Sequence, residues 1–151
     1  MKTMRWLSAA AFVAACLFTQ PAAAQQSVAD VLSEWGMVGT WSTDCAKQPA
    51  ENHFHYHVVV NASGAASYDR DRGAANLNDS NPITAAALRA DGTLELTVNF
   101  PGLNQSRVVV YAKEPNRIRA MYNRGSGGDV SVENGVFKHN GQPTPWQFRC
   151  K

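Results

Sequence analysis

Hydrophobic and polar residues alternate along most of this chain with a period of two, which is the pattern of β-strands that bury one face. The clearest case is the segment 94–100, which follows Asp91-Gly92, a dipeptide typical of two-residue type I′ turns. Folding back across such a turn would place Arg89 opposite Leu94. The bulky side chains on one face of this segment are expected to fill the interior of the fold or to line a ligand cavity. With two tyrosines from later strands, the candidate ligand-binding residues are Leu94, Leu96, Val98, Phe100, Tyr111 and Tyr122.

Three further turns punctuate the chain. Asn61–Gly64, Pro115-Asn116 and Asn134-Gly135 are each predicted to close a hairpin, and the last strand is expected at 146–150. Short strands at regular spacing, without helices between them, predict an all-β, antiparallel up-and-down meander. A chain of this length most economically closes the meander into a lipocalin-like barrel of about 8–10 short strands, because closure removes exposed strand edges.

Helical periodicity is convincing only near the N-terminus, where the apolar residues at 28, 31, 32 and 35 fall on one face of a helix. Ser27 or Asp30 is suited to cap the start of this helix, and Gly36 is suited to end it. The chain is therefore predicted to have three parts: a signal peptide at 1–24, a helical segment at 25–38 and a single β-barrel domain at 39–151.

The first 24 residues have the layout of an export signal. A positive start with Lys2 and Arg5 is followed by an apolar run at 6–19 and by small residues before Gln25. The apolar run is too short for a membrane-spanning helix, so no transmembrane segment is expected in the mature chain. An alternative is lipoprotein processing with acylation at Cys16, because 13–16 resembles such a cleavage motif.

Charge excludes one class of partner. The full chain has 14 Lys and Arg against 12 Asp and Glu, and removal of Lys2 and Arg5 with the signal leaves 12 against 12. A mature chain with no basic excess lacks the electrostatic footprint of a nucleic-acid-binding protein. About 127 mature residues suffice for one domain with its own core.

Cys45 and Cys150 are the cysteines that remain after the signal, and they bracket nearly the whole mature chain. A disulfide between them is expected, since such bonds persist in the periplasm and outside the cell. We therefore predict a periplasmic or secreted protein. The bond is expected to pin the tail across the end of the first strand. Two free cysteines with a redox role are the alternative, although a Cys-x-x-Cys motif is lacking.

Gly39-Thr40-Trp41 opens the first predicted strand after a short helix, and this resembles the Gly-x-Trp motif of lipocalins and related calycin barrels. The resemblance implies that Trp41 packs at the closed end of the barrel with a basic residue, Arg149 or Lys138, lying across it. It also implies a carrier or sensor of a small apolar ligand. The chain departs from the family pattern in being shorter and in lacking the long helix after the eighth strand.

The segment 53–57 contains three histidines on one strand face. If the turn that follows has a three-residue loop, His55 faces Asp71 and His57 faces Asp69, a donor set that suits zinc or copper. If the loop has two residues, arginines replace the aspartates and a metal site is not expected. The alternative is that these side chains form charge pairs on the outer wall. No cofactor is required by any motif.

Motifs for nucleophilic, phosphate-binding or metalloprotease chemistry are lacking, so the sequence does not predict an enzyme. The sequence favours an exported β-barrel that binds a small apolar molecule. One alternative is an envelope interaction protein or inhibitor that binds a partner protein through the loops Gly73–Asn81 and Arg124–Asp129. The other is a periplasmic zinc- or copper-binding protein. Arg117 and Arg119 share a strand face that could hold an anion, or be a solvated face.

Overall fold

The structure is a computed structural model that describes residues 26–150, so the predicted signal peptide and Cys16 lie outside the described residues. Within 26–150 the chain forms one α-helix, ten β-strands and a single 3-10 turn. The elements are α1 (Val28–Trp35), β1 (Gly39–Ser42), β2 (His55–Val60), β3 (Ala66–Asp71), β4 (Asp79–Leu88), β5 (Leu94–Phe100), the 3-10 turn (Pro101–Leu103), β6 (Gln105–Glu114), β7 (Arg117–Gly125), β8 (Val130–Glu133), β9 (Val136–Phe137) and β10 (Gln147–Cys150).

Eight of these strands close into an antiparallel barrel. Strands β1 to β7 pair with their sequence neighbours in up-and-down order, and β10 pairs with both β7 and β1 to close the ring. Strands β8 and β9 form a hairpin that extends from the edge of β7. The predicted fold class is thus confirmed. No helix within residues 26–150 is both long enough and apolar enough to span a membrane.

Helix α1 covers one end of the barrel, which we call the helix end. Ser27 and Asp30 form a reciprocal capping box at its start, and Gly36 ends it in the left-handed region with φ 81°. The indole Nε1 of Trp35 donates to the carbonyl of Gly92 at 2.9 Å, which ties the helix to the β4–β5 turn. The opposite end of the barrel, called the open end here, has no such helix within residues 26–150.

The turn between β2 and β3 has the predicted three-residue loop. The Asn61 amide donates to the Ala65 carbonyl at 2.9 Å, and Val60 lies opposite Ala66. The positions of the Pro115-Asn116 and Asn134-Gly135 turns are also confirmed.

The turn before β5 differs from the prediction. The Arg89 amide donates to the Thr93 carbonyl at 2.9 Å, so the loop contains three residues and not two. Of those three only Gly92 has a positive φ, 79°, whereas a type I′ turn needs two such residues. The pairing of β4 with β5 is therefore shifted by one residue, and Leu88, not Arg89, lies opposite Leu94.

Both predicted partner loops are shorter than expected. The segment Gly73–Asn81 ends in strand, because Asp79 pairs with Arg70 of β3 and Asn81 is 1% exposed. The segment Arg124–Asp129 begins in strand, since β7 continues through Gly125.

The helix end of the barrel is filled with side chains. Leu94 and Leu96 of β5 are 0% exposed and belong to the same core cluster as Leu32 and Trp35 of the helix. Close packing of this kind leaves no room for a ligand at the helix end. Any binding cavity must therefore lie toward the open end.

The predicted disulfide joins Cys45 to Cys150, with Cα atoms 5.4 Å apart. The expectation that the tail only crosses the end of the first strand is wrong, because β10 pairs along β1 with Trp41 opposite Arg149. Cys150 lies opposite Thr40, so a straight strand would carry Cys45 about 16 Å away. A turn after Ser42 folds Cys45 back toward the closing strand.

Candidate functional site

A cavity of about 600 Å³ opens at the open end of the barrel. This volume lies in the range of about 300–1,000 Å³ typical of small-molecule sites. Its walls come from the inward faces of several barrel strands, from the β8–β9 hairpin and from the segments that connect the strands. The lining includes the aromatic residues Phe54, Tyr56, Tyr68, Phe100, Tyr111 and Phe137 and the aliphatic residues Val98, Leu103, Val109 and Val132.

The six candidate ligand-binding residues fall into three places. Three of them, Val98, Phe100 and Tyr111, line the cavity. Leu94 and Leu96 lie below it in the filled helix end.

Tyr122 does not line the cavity, because a β-bulge follows Val110. The bulge pairs Tyr111 with Ala120 and Tyr122 with Val110. Val110 lies between the inward-facing Val109 and Tyr111, so its face is the outer one. The extra residue thus turns Tyr122 to the outside of the barrel.

Three tyrosines form the deep wall of the cavity. The rings of Tyr56 and Tyr68 have centroids 4.9 Å apart, and the Tyr111 hydroxyl donates to the Tyr68 hydroxyl at 3.4 Å. Burial raises the pKa of all three phenols above the ordinary value. Phenols are already protonated at neutral pH, and the raised pKa keeps these three protonated further into the alkaline range. The hydroxyls offer hydrogen bonds beside aromatic faces.

Arg70 is one of two guanidinium groups in the cavity wall. It projects from β3, and its Cζ lies 5.1 Å from the centre of the Phe100 ring on β5. Its Nε donates to Asp79 Oδ1 at 2.8 Å, and its Nη2 also binds that carboxylate. Burial works to raise the pKa of Asp79, but hydrogen bonds from Arg70 and Asn81 outweigh it and lower that pKa.

Arg107 is the second guanidinium. It projects inward from β6 opposite Val98, and its side chain is 12% exposed. Nε donates to Asn123 Oδ1 at 2.6 Å, while Nη2 donates to Asp129 Oδ2 and Ser131 Oγ, both at 3.0 Å. These bonds fix the plane of the guanidinium within the cavity wall.

The β8–β9 hairpin completes the wall where the barrel seam opens. Strand β7 pairs with β10 only at Arg117 and Ile118, and beyond that point its edge is taken by β8. Val132 of β8 is buried and lines the cavity. Thr144 closes the gap on the other side by donating from Oγ1 to the Ala120 carbonyl at 2.7 Å.

Strand alternation would have pointed to the missed arginines. In β3, Ala66, Tyr68 and Arg70 share the inner face, and in β6 Arg107 shares it with Val109. The prediction from sequence used the apolar positions on these faces and did not include the charged ones.

The histidine strand has the register that a metal site requires, with His55 opposite Asp71 and His57 opposite Asp69. The side chains bond elsewhere, however. His57 Nδ1 lies 3.0 Å from the Thr40 hydroxyl, and the Ser80 hydroxyl donates to Asp69 at 2.5 Å.

Within residues 26–150 no three His, Cys, Asp or Glu side chains come together as a metal-binding group. Zinc or copper binding by the histidine strand stays a prediction.

Arg117 and Arg119 lie on the outer face around Trp146. Their Cζ atoms are 4.4 Å and 5.3 Å from the centre of its ring. Arg117 also pairs with Glu114, and Arg119 donates to the Gly135 carbonyl at 2.9 Å. The predicted shared face is thus occupied by an indole and by intramolecular bonds.

Trp41 packs at the helix end beneath Arg149. The Cζ of Arg149 lies 4.4 Å from the centre of the indole ring, and Trp41 Nε1 donates to the Met37 carbonyl at 2.8 Å. Arg149 also donates to the carbonyls of Val38 and Gly36. Of the two basic residues that the sequence offered for this place, Arg149 is the one found there.

The position of Arg149 also explains why residue 39 is a glycine. Its φ is 137°, and a Cβ at this position would lie 2.7 Å from Nη1 of Arg149. Both the backbone conformation and the close approach of the arginine require glycine.

Fold and cavity together define a closed, eight-stranded antiparallel barrel with one short helix and an opening at one end, an architecture compatible with a lipocalin-like barrel. No protein-family model matches the sequence, and comparison with curated proteins and with solved structures finds no similar protein.

Proposed function

We propose that this protein is an exported, lipocalin-like carrier or sensor of a small ligand with a large apolar part. The observation that carries the proposal is the cavity of about 600 Å³ at the open end, beside a fully packed helix end. A barrel whose interior served only stability would be filled along its whole length.

The wall of the cavity supports this class of ligand. Aromatic and aliphatic side chains supply just over half of its residues, and polar and charged side chains supply the rest. An apolar surface with polar groups among it suits a ligand that has an apolar part and a polar head. The Cys45–Cys150 bond supports an extracytoplasmic location. Fold alone does not define function, so the cavity must be tested directly.

The test is titration of the purified mature protein with N-phenylnaphthylamine, a neutral dye that fluoresces in apolar surroundings. We expect saturable binding to wild type. Ala120 lines the cavity, and Ala120→Trp would place an indole inside it and abolish the binding. Ala87 is exposed on β4, so Ala87→Trp adds the same ring outside the barrel and should leave binding unchanged.

Thermal melts of both variants would show that each is folded. Dye binding that survives in Ala120→Trp, or that is lost equally in both variants, would contradict the proposal. Native mass spectrometry of protein purified from its own envelope would then identify what the cavity retains.

A further inference from the structure

We propose that the ligand is an amphipathic carboxylate whose anionic head binds at Arg107, with its apolar part against the aromatic wall. This inference rests on the proposed function and names the ligand class of the same cavity. The charges in the wall, their burial and their resident partners carry the argument.

Of the two arginines in the cavity wall, Arg107 has the more exposed carboxylate partner. Arg70 and Arg107 line the cavity, and Asp129 is the carboxylate that lines it. Asp79, the partner of Arg70, is not part of the lining. Asp79 offsets the charge of Arg70 through two hydrogen bonds, whereas Asp129 offsets that of Arg107 from a 60% exposed position. Arg107 is therefore the arginine that can exchange its partner for an anionic ligand head.

Arg107 is organised in advance to receive a carboxylate. Asn123 and Ser131 accept hydrogen bonds from Nε and Nη2, which holds the guanidinium plane in one orientation. A planar guanidinium binds a carboxylate through paired hydrogen bonds, and little rotational freedom is lost when the group is already fixed. Because Arg107 is 12% exposed, solvent screens the resulting attraction only in part.

Arg70 places a second cation in the same region. It extends over Phe100 of β5, whose other neighbour is β6, the strand of Arg107. The two guanidinium groups thus approach the open end of β5 from opposite sides. Because Asp79 offsets the charge of Arg70, Arg107 is the residue to which the ligand head is assigned.

Asp129 stands where the head of the ligand would bind. Its Oδ2 accepts from Arg107 at 3.0 Å, but its side chain is 60% exposed and lies at the end of the loop between β7 and β8. Solvent screens and hydrates the exposed carboxylate of this pair, which reduces the net contribution of the pair. An incoming carboxylate that also buries an apolar chain can therefore displace Asp129 from Arg107 at small cost.

The experiment compares decanoate with decanol by isothermal titration calorimetry, since the two share an apolar chain and differ in the charged head. We expect wild type to prefer decanoate. Arg107→Met should weaken decanoate binding about ten- to a hundredfold, the effect of losing a charge-assisted hydrogen bond, and change decanol binding little. The matched control is Arg124→Met, which removes an exposed cation from the outer face of β7.

Asp129→Asn gives a result that a purely structural role for Arg107 does not predict. Removing the competing carboxylate should tighten decanoate binding about two- to fivefold and leave decanol binding unchanged. This variant keeps Arg107, so it remains informative if Arg107→Met fails to fold.

The outcomes separate the inference from the proposed function. Wild type that binds the neutral dye but shows no preference for decanoate would overturn the inference alone. Equal decanoate affinity in wild type and folded Arg107→Met, or weaker decanoate binding in Asp129→Asn, would do the same. Protein that binds neither the dye nor either alkyl compound would overturn both.

Discussion

Removing the Cys45–Cys150 bond should lower the free energy of unfolding by about 2–4 kcal/mol. The two cysteines are 105 residues apart in sequence, and the chain-entropy model gives about 4.7 kcal/mol for closing a loop of about 100 residues. The measured loss is expected to be smaller, because real denatured chains retain structure that already limits their freedom. The bond also anchors β10, the short strand that closes the barrel between β7 and β1.

The assay is urea unfolding of wild type and of the double variant Cys45→Ser/Cys150→Ser, followed by tryptophan fluorescence. A chain without the cross-link expands further when unfolded, so its dependence on urea should steepen as its midpoint falls. Wild type in reductant serves as the control and should match the double variant. A loss below about 1 kcal/mol, with the same steepness, would refute the reasoning and show that β10 docks independently of the bond.

Three further predictions concern strain and titration. Gly39→Ala should lower the free energy of unfolding by about 1–3 kcal/mol in urea, because Gly39 has a positive φ and lies close to Arg149. Gly127→Ala should have little effect, because the space around Gly127 is open. The pKa of Asp79 is lowered in the fold, so its ion pair stabilises above the unfolded pKa of about 3.9 and is lost as pH falls through the folded value. Acid unfolding curves of Asp79→Asn should therefore show a shallower loss of stability, and an unchanged curve would contradict this. The pKa values of Tyr68 and Tyr111 are raised in the folded protein. Their burial therefore contributes fully to the free energy of unfolding below about pH 10, and this contribution decreases as the pH rises toward their pKa values in the folded protein. Tyrosinate absorbance should appear together with unfolding, and Tyr68→Phe should reduce the loss of stability at alkaline pH. Ionisation of all tyrosines in the folded protein would contradict this prediction.

Much of the barrel could be predicted from local pattern. The three-residue loop after Asn61 was predictable because the asparagine side chain accepts from the Ser63 and Ala65 amides and Gly64 supplies a positive φ. The same loop geometry occurs at Ala90–Gly92, yet the dipeptide Asp91-Gly92 suggested a tighter turn. One residue in a loop shifts every pairing that follows, and sequence alone did not separate the two turn types.

The cavity was less predictable than the strands around it. Period-two alternation identified an inner face, but it cannot tell which inward side chains fill the barrel and which surround a space. Leu94 and Leu96 became core because α1 packs across their end of the barrel, while Val98 and Phe100, on the same strand face, border the cavity. Tyr122 lies on the outer face because of a β-bulge, and no local sequence pattern predicts that bulge.

The sequence by itself determined the antiparallel all-β fold class, the turn positions, the capped helix and the pairing of Cys45 with Cys150. These features depend on neighbouring residues or on which cysteines are present. Tertiary structure alone decided the site. The two inward arginines line one cavity because the sheet curves β3 to β6 around one opening, and the carboxylate partner of Arg107 comes from a loop 22 residues away. Such contacts are fixed by the register of many strands at once, which no short stretch of sequence encodes.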